Sequence, residues 1–316
     1  MTRLTTLLSL LFAWGAFAAP IDSESKAPSF IFAGDAPYGV DSDVLDSVMT
    51  CAQEITPNSK NAVLLIHGTG STGSESWARS YAKSLPTAGY AACYIDLPDR
   101  ALADAQVSAA YIAYNMHKLS RMAGGNAIAV MSHSQGGPDT QWALRFWPST
   151  HGVVRAFVGL SPDLTGVTRN STISIACYTT QAAPLVCEPS LWQQAVGSNF
   201  TTVLKNDAAA LVPTTLLWSE TDTTVIPPEE NASLPGATSY SVQKLCPEAV
   251  TDHVGMLFAA PTFAYAVDAL DHGGRASFDR VKPDADKLCY TLYAPGLNDA
   301  DVAYLEGSVG AVGGIA

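Results

Sequence analysis

The chain reads as an α/β protein, with a mostly parallel central sheet and helices on both faces. Two observations predict this. Between residues 60 and 270, apolar β-branched runs alternate with stretches of helical periodicity. The apolar runs are near-continuous rather than alternating, as strands covered on both faces require. At one strand-to-helix junction stands the hexapeptide Ser132-His133-Ser134-Gln135-Gly136-Gly137, and in such sheets chemistry gathers at the carboxyl ends of strands.

Taken in order, the chain opens with the basic start Met1-Thr-Arg-Leu and a short apolar core, Leu7-Leu-Ser-Leu-Leu-Phe-Ala-Trp-Gly. Ala16-Phe17-Ala18 supplies a small-x-small cleavage pattern. Residues 1–18 are therefore expected to be a secretory signal, residues 19–316 a single domain, and the destination extracellular. Strands are expected at Ala62–His67, Tyr90–Ile95, Ala127–Met131, Val153–Leu160, Thr214–Ser219 and Ser239–Lys244. Helices are expected at Ser76–Leu85, Asp104–Met122 and Gly137–Phe146. The longest has Val107, Ala110, Tyr111 and Tyr114 on its apolar face and is ended by Gly124-Gly125. The stretch from about 164 to 207 breaks the rhythm and is expected to be a small lid or cap insertion.

Composition narrows the function. The formal charge of −12 and the sequence pI near 4.8 argue against nucleic-acid binding, which needs a basic surface. No stretch after the leader approaches the ~20 apolar residues of a membrane span. The six cysteines suggest disulfides in an exported chain, with fifteen pairings open from sequence alone. None has C-x-x-C spacing or lies close to histidine, so no metal site is expected. Asn170-Ser-Thr, Asn199-Phe-Thr and Asn231-Ala-Ser are glycosylation sequons.

The hexapeptide follows the apolar Ala127–Met131 and precedes the helical Gln141-Trp-Ala-Leu-Arg-Phe-Trp147. A serine there, with glycine two residues on, has the layout of a nucleophile elbow. The turn is so tight that residues two positions either side must be small. Gly136 meets that need, and Ser132 stands where glycine is commoner. The bland alternative is a polar helix cap.

A rival motif is Gly68-Thr-Gly70-Ser-Thr-Gly73, with Asp96 ending the next strand 23 residues on, which also fits a dinucleotide-binding loop. That reading leaves the 132–137 turn unexplained. As a hydrolase loop, the same segment supplies an oxyanion donor.

An elbow serine needs a histidine base and an orienting acid, in the order Ser, Asp/Glu, His. His253, in the polar turn Val250-Thr-Asp-His-Val-Gly255, can project from a loop. His151 precedes a strand, at the wrong end of the sheet, and His272 looks like a helix terminus. Asp222 follows the strand Thr214–Ser219. Asp163, after the strand ending at Ser161, is the other candidate acid, and Asp252 adjoins the histidine.

With these residues assembled, the chain resembles the α/β-hydrolase lipases of the Candida antarctica lipase B type over roughly residues 45–300. The likeness rests on Gly68–Gly73, Ser132–Gly137 with Gln141-Trp142, Pro162-Asp163, Leu191-Trp-Gln-Gln194, Val212-Pro-Thr-Thr215, Glu220-Thr-Asp222 and Asp252-His-Val-Gly255. It implies the α/β-hydrolase fold, Ser134 as nucleophile, His253 as base and Asp222 as acid. It implies an oxyanion hole from the Thr69 and Gln135 amides, with the Thr69 hydroxyl as a third donor. The substrate pocket is expected to involve Ser71, Ser76, His133, Asp163, Thr224 and Val225. Disulfides Cys51–Cys93 and Cys246–Cys289 are implied, leaving Cys177 and Cys187 for each other near the lid. Where that lipase carries a tryptophan before the nucleophile, this chain has His133.

The expected reaction is ester hydrolysis through an acyl-enzyme, without metal or organic cofactor. The partners expected are a lipid or ester substrate and, transiently, a lipid–water interface. An esterase on soluble short-chain esters, and a non-catalytic binding protein on a hydrolase fold, are the alternatives.

Overall fold

The computed structural model describes residues 30–168 and 187–309. Seven strands form one sheet: β1 (Met49–Cys51), β2 (Ala62–Ile66), β3 (Ala91–Ile95), β4 (Ile128–His133), β5 (Val154–Leu160), β6 (Thr214–Trp218) and β7 (Thr238–Ser241). Their order is β1-β3-β2-β4-β5-β6-β7. Every pair is parallel except β1 with β3 at one edge.

Successive side chains along each strand point to opposite faces, and the core divides accordingly. Leu64, Ile66, Val130 and Phe157 pack with the helices Ala105–Met122 and Gly136–Phe146 on one face. Val63, Leu65, Met131 and Val158 pack with Trp77, Tyr81 and the helix Ala260–Asp271 on the other. The sheet is therefore buried on both sides, which explains why its strands read as continuous apolar runs.

Three expectations are corrected. The helix expected over Ser76–Leu85 is broken into Gly73–Trp77 and Tyr81–Ser84. The Ser80 hydroxyl takes the Ser76 carbonyl at 2.5 Å, the group an unbroken helix would have bonded through its backbone. The strand expected at Ser239–Lys244 ends at Ser241, whose hydroxyl accepts from the Lys244 amide and caps the helix Val242–Leu245. In the helix Ala105–Met122, Ala110, Tyr111 and Tyr114 are buried, but Val107 is exposed. Gly124 and Gly125, both at positive φ, close that helix, and the Gly125 amide bonds Ser120 O.

Disulfides join Cys51 to Cys93 and Cys246 to Cys289. The Cys177–Cys187 pairing lies outside the described residues. So do the Asn170 sequon and residues 169–186 of the 164–207 insertion, while described parts of it pair through the parallel bridge Val167–Ala195. Asn199 is exposed, whereas Asn231 is buried, its amide accepting from Thr165 and donating to Pro227 O. No helix among the described residues is long and apolar enough to cross a membrane.

Candidate active site

Ser134 leaves the end of β4 with φ at +55°, a conformation that costs a non-glycine residue energy and persists only where the surroundings enforce it. Here the Ser134 amide bonds Leu160 O at 3.0 Å, and its carbonyl accepts from Gly137 N at 2.8 Å. The turn leaves no room for neighbouring side chains. A Cβ on Gly136 would lie 2.8 Å from the carbonyls of Ile66 and His67, and one on Gly137 would lie 2.5 Å from Pro162 Cβ. Ser132 fits because it still belongs to the strand.

The loop after β2 crosses the elbow closely. A Cβ on Gly68 would meet Ser134 Cβ at 2.6 Å. The loop is held from beneath by a residue that the motif reading passed over. His67 is fully buried, its Nδ1 bonds Gly68 O at 2.8 Å, and its Nε2 accepts from the Leu97 amide at 2.9 Å. Burial lowers its pKa to about 4, so it stays neutral and in one tautomer. Arg100 bonds Gly70 O at 2.8 Å and pairs with Glu75 through two bonds of 3.1 and 2.6 Å. Asp96, the candidate ribose acid, instead accepts from the Gly73 amide at 2.7 Å. A carboxylate of the chain itself therefore occupies the helix N-terminus that a phosphate would need.

His253 and Asp222 come together from the loops after β7 and β6, with Nδ1 2.7 Å from Oδ2. The other Asp222 oxygen accepts from the amides of Thr224 at 2.8 Å and Val225 at 3.1 Å. Burial alone would raise the Asp222 pKa. The His253 charge and these hydrogen bonds outweigh it and bring it to about 2. Burial likewise favours neutral His253, but Asp222 reverses the sign and its pKa is raised above 6.5. His151 and His272 bond the carbonyls of Leu144 and Asp268.

The Thr69 and Gln135 amides face no acceptor among the described residues. The Thr69 hydroxyl, however, donates to Gln135 Oε1 at 2.5 Å, with Gln194 Oε1 at 3.1 Å. Gln194 Nε2 also donates to Gln135 Oε1 at 2.9 Å, and Gln135 Nε2 donates to buried Asp139 at 3.2 Å. A third donor role for the Thr69 hydroxyl thus requires it to rotate. Its departure would leave Gln135 Oε1 satisfied by Gln194 Nε2, while buried Gln194 Oε1 would lose the partner it has in the Thr69 hydroxyl. Sequence reading missed Asp139, since a polar residue in a helix's first turn gives no distinguishing signal.

Of the expected pocket residues, Ser71 and Ser76 are buried and hydrogen-bond each other at 3.0 Å, with Ser71 continuing to Gly68 O at 3.1 Å. Thr224 and Val225 reach the site through their backbone. Asp163 is 1% exposed, and burial lifts its pKa to about 7. His133 lies against His253 with ring centroids 4.5 Å apart. No cluster of metal-ligating side chains occurs among the described residues.

The chain is 33% identical over 274 residues to lipase B of Pseudozyma antarctica, covering 83% of this chain and 76% of that protein. The crystal structure of Aspergillus fumigatus lipase B superposes with a TM-score of 0.80 at 31% identity, over 89% of this chain and 69% of that one. The propeptide form of Bacillus licheniformis lipase BlEst2, at 17% identity and a TM-score of 0.57 over 72% of this chain and 54% of that one, shares the fold. No protein-family model matches the chain.

Proposed function

Because the chain belongs to the lipase B family of α/β-hydrolases, and is thereby a lipase or carboxylic ester hydrolase, we propose that it is secreted and acts through a serine acyl-enzyme. Ser134 is the nucleophile, His253 the general base and Asp222 the orienting acid. Residues 1–18 are the export signal. The observation that carries this reading is the 2.7 Å contact of buried His253 and Asp222 in a chain whose nearby elbow serine is held at φ +55°.

In the reaction, His253 Nε2 takes the Ser134 proton as the hydroxyl oxygen attacks the ester carbonyl. The resulting oxyanion is met by the Thr69 and Gln135 amides, each such donor being worth roughly 3 kcal/mol. The C–O bond then breaks, and His253 returns the proton to the departing alcohol. Water, activated by the same imidazole, cleaves the acyl-serine ester and releases the acid. Throughout, Asp222 keeps the proton on Nδ1 and stabilises the imidazolium. The substrate is an ester, lipid or soluble, and the leader, the disulfides and the exposed Asn199 sequon agree with an extracellular setting.

Ser134→Ala is expected to abolish hydrolysis of p-nitrophenyl esters and of emulsified triglyceride while leaving the circular dichroism spectrum unchanged. A serine-reactive phosphonate is expected to label Ser134 in the unaltered protein. Near-normal turnover by the alanine variant would end the serine mechanism.

A further inference from the structure

We propose that His133 is a positioning residue that ties the loop carrying His253 to the nucleophile turn. The proposal rests on the serine-hydrolase reading above and concerns how its base is held.

His133 is the last residue of β4 and immediately precedes Ser134. Its Nε2 lies 2.9 Å from the backbone carbonyl of His253, and the two rings are tilted by 43°. A carbonyl only accepts, so the proton sits on Nε2 and His133 donates. Burial, followed by the neighbouring His253 charge, lowers the His133 pKa to about 3. The ring therefore remains neutral and this tautomer persists.

The rest of the base loop is anchored elsewhere. The Thr251 amide donates to the Thr221 hydroxyl, which donates back to Thr251 O, both at 2.9 Å. Asp252 accepts from the Gly255 amide inside the loop at 2.7 Å. Together with the Asp222 contact, these bonds fix His253 relative to its acid. None of them fixes it relative to Ser134.

Among the described residues, the His133 bond is the one hydrogen bond between residues 132–135 and 250–255, and Ser134 Oγ makes none to His253. The register of nucleophile and base in the resting enzyme thus depends on a neighbour of the nucleophile. A displacement near 1 Å at such a pair costs up to about a hundredfold in rate. An ordinary buried histidine that has merely found a carbonyl would be replaceable by any side chain filling the space.

The experiment compares His133→Leu, which fills the space without donating, with His133→Gln, whose amide reaches the same carbonyl. For a soluble p-nitrophenyl ester, His133→Leu is expected to lower kcat about tenfold to a hundredfold with KM little changed, and to slow phosphonate labelling in parallel. His133→Gln is expected to recover most of the loss. The low-field proton resonance of His253 Nδ1–H should persist in both variants, because the acid–base pair is anchored separately. If His133→Leu fails to fold, His133→Asn, too short to reach, serves as the non-donating partner of His133→Gln.

Full kcat in the non-donating variant, or equal losses in both, overturns the proposal alone. Loss of the low-field resonance in a folded variant overturns it too. Absence of Ser134 labelling in the unaltered protein overturns the serine-hydrolase reading, and the proposal with it.

Discussion

At the scale of single residues, partners rather than burial separate Asp222 from Asp163. Both are buried, and burial alone raises a carboxyl pKa. Asp222 accepts from His253 and two amides and ends near 2. Asp163 has no hydrogen-bond partner from another residue among the described residues and ends near 7. Its effect on stability follows from the sign of that shift. Between the ordinary value of 3.8 and about 7, the folded protein keeps a proton on Asp163 that the unfolded chain has released. Stability therefore falls as pH rises through that window. Asp163→Asn, which removes the titration, should raise Tm at pH 7.5 and change it little at pH 4; calorimetry at both values checks this. Asp222→Asn should cost about 10⁴ in kcat by fixing the imidazole in the wrong tautomer. Steady-state assays that ranked the two substitutions in the opposite order would move the acid to β5.

At the scale of elements, the loop of residues 67–73 shows why its glycines and serines stand where they do. Gly68 is kept bare by Ser134, and Gly73 by the Ile95 carbonyl 2.5 Å from where its Cβ would be. Gly70 sits at φ +72°. The same pattern that suggests a phosphate cradle is thus explained by close approach to neighbouring strands and to the elbow. Gly68→Ala should push the loop off the nucleophile, with loss of kcat and of phosphonate labelling at nearly unchanged Tm. An equal fall in Tm would instead make Gly68 a general packing position. The broken helix near residue 80 follows the same rule, since one serine hydroxyl competing for a carbonyl outweighed an apolar periodicity that pointed to continuity.

At the scale of the whole molecule, the two described disulfides brace opposite ends of the sheet. Cys51–Cys93 joins the antiparallel edge strand β1 to β3, where the two residues are paired in register. Cys246–Cys289 ties the segment before the base loop to the turn ending the helix Ala285–Leu288. They span 42 and 43 residues, for which loop-closure entropy suggests about 4 kcal/mol each. Replacing Cys51 and Cys93 together by serine should lower the unfolding free energy by that order while sparing kcat. Replacing Cys246 and Cys289 should affect both, because His253 lies only a few residues beyond Cys246. Denaturant titrations paired with ester assays separate the two cases, and equal losses of kcat would show that the first disulfide also shapes the site.

The sequence by itself determined the sheet-and-helix alternation, six of the seven strands and the elbow turn. These depend on local signals: hydrophobic period, glycine where a Cβ collides, and serine between strand and helix. It also pointed to Asp222 and His253 through their places after late strands. β1 escaped notice because three residues carry too little pattern to register, and β7 was extended too far because Ser241 is at once strand end and helix cap. Only the tertiary structure decided that His67 clamps the loop after β2, that Asp139 and Gln194 meet at Gln135, and that His133 grips the carbonyl of His253. Each of the last three contacts joins a common polar side chain to a partner chosen by packing. His133 and His253 stand 120 positions apart, and the sequence between them holds no local pattern that could announce their meeting. Sheet order places β4 beside β5, with β6 and β7 next in line, and the loops at their carboxyl ends then converge, so proximity in space is settled by topology.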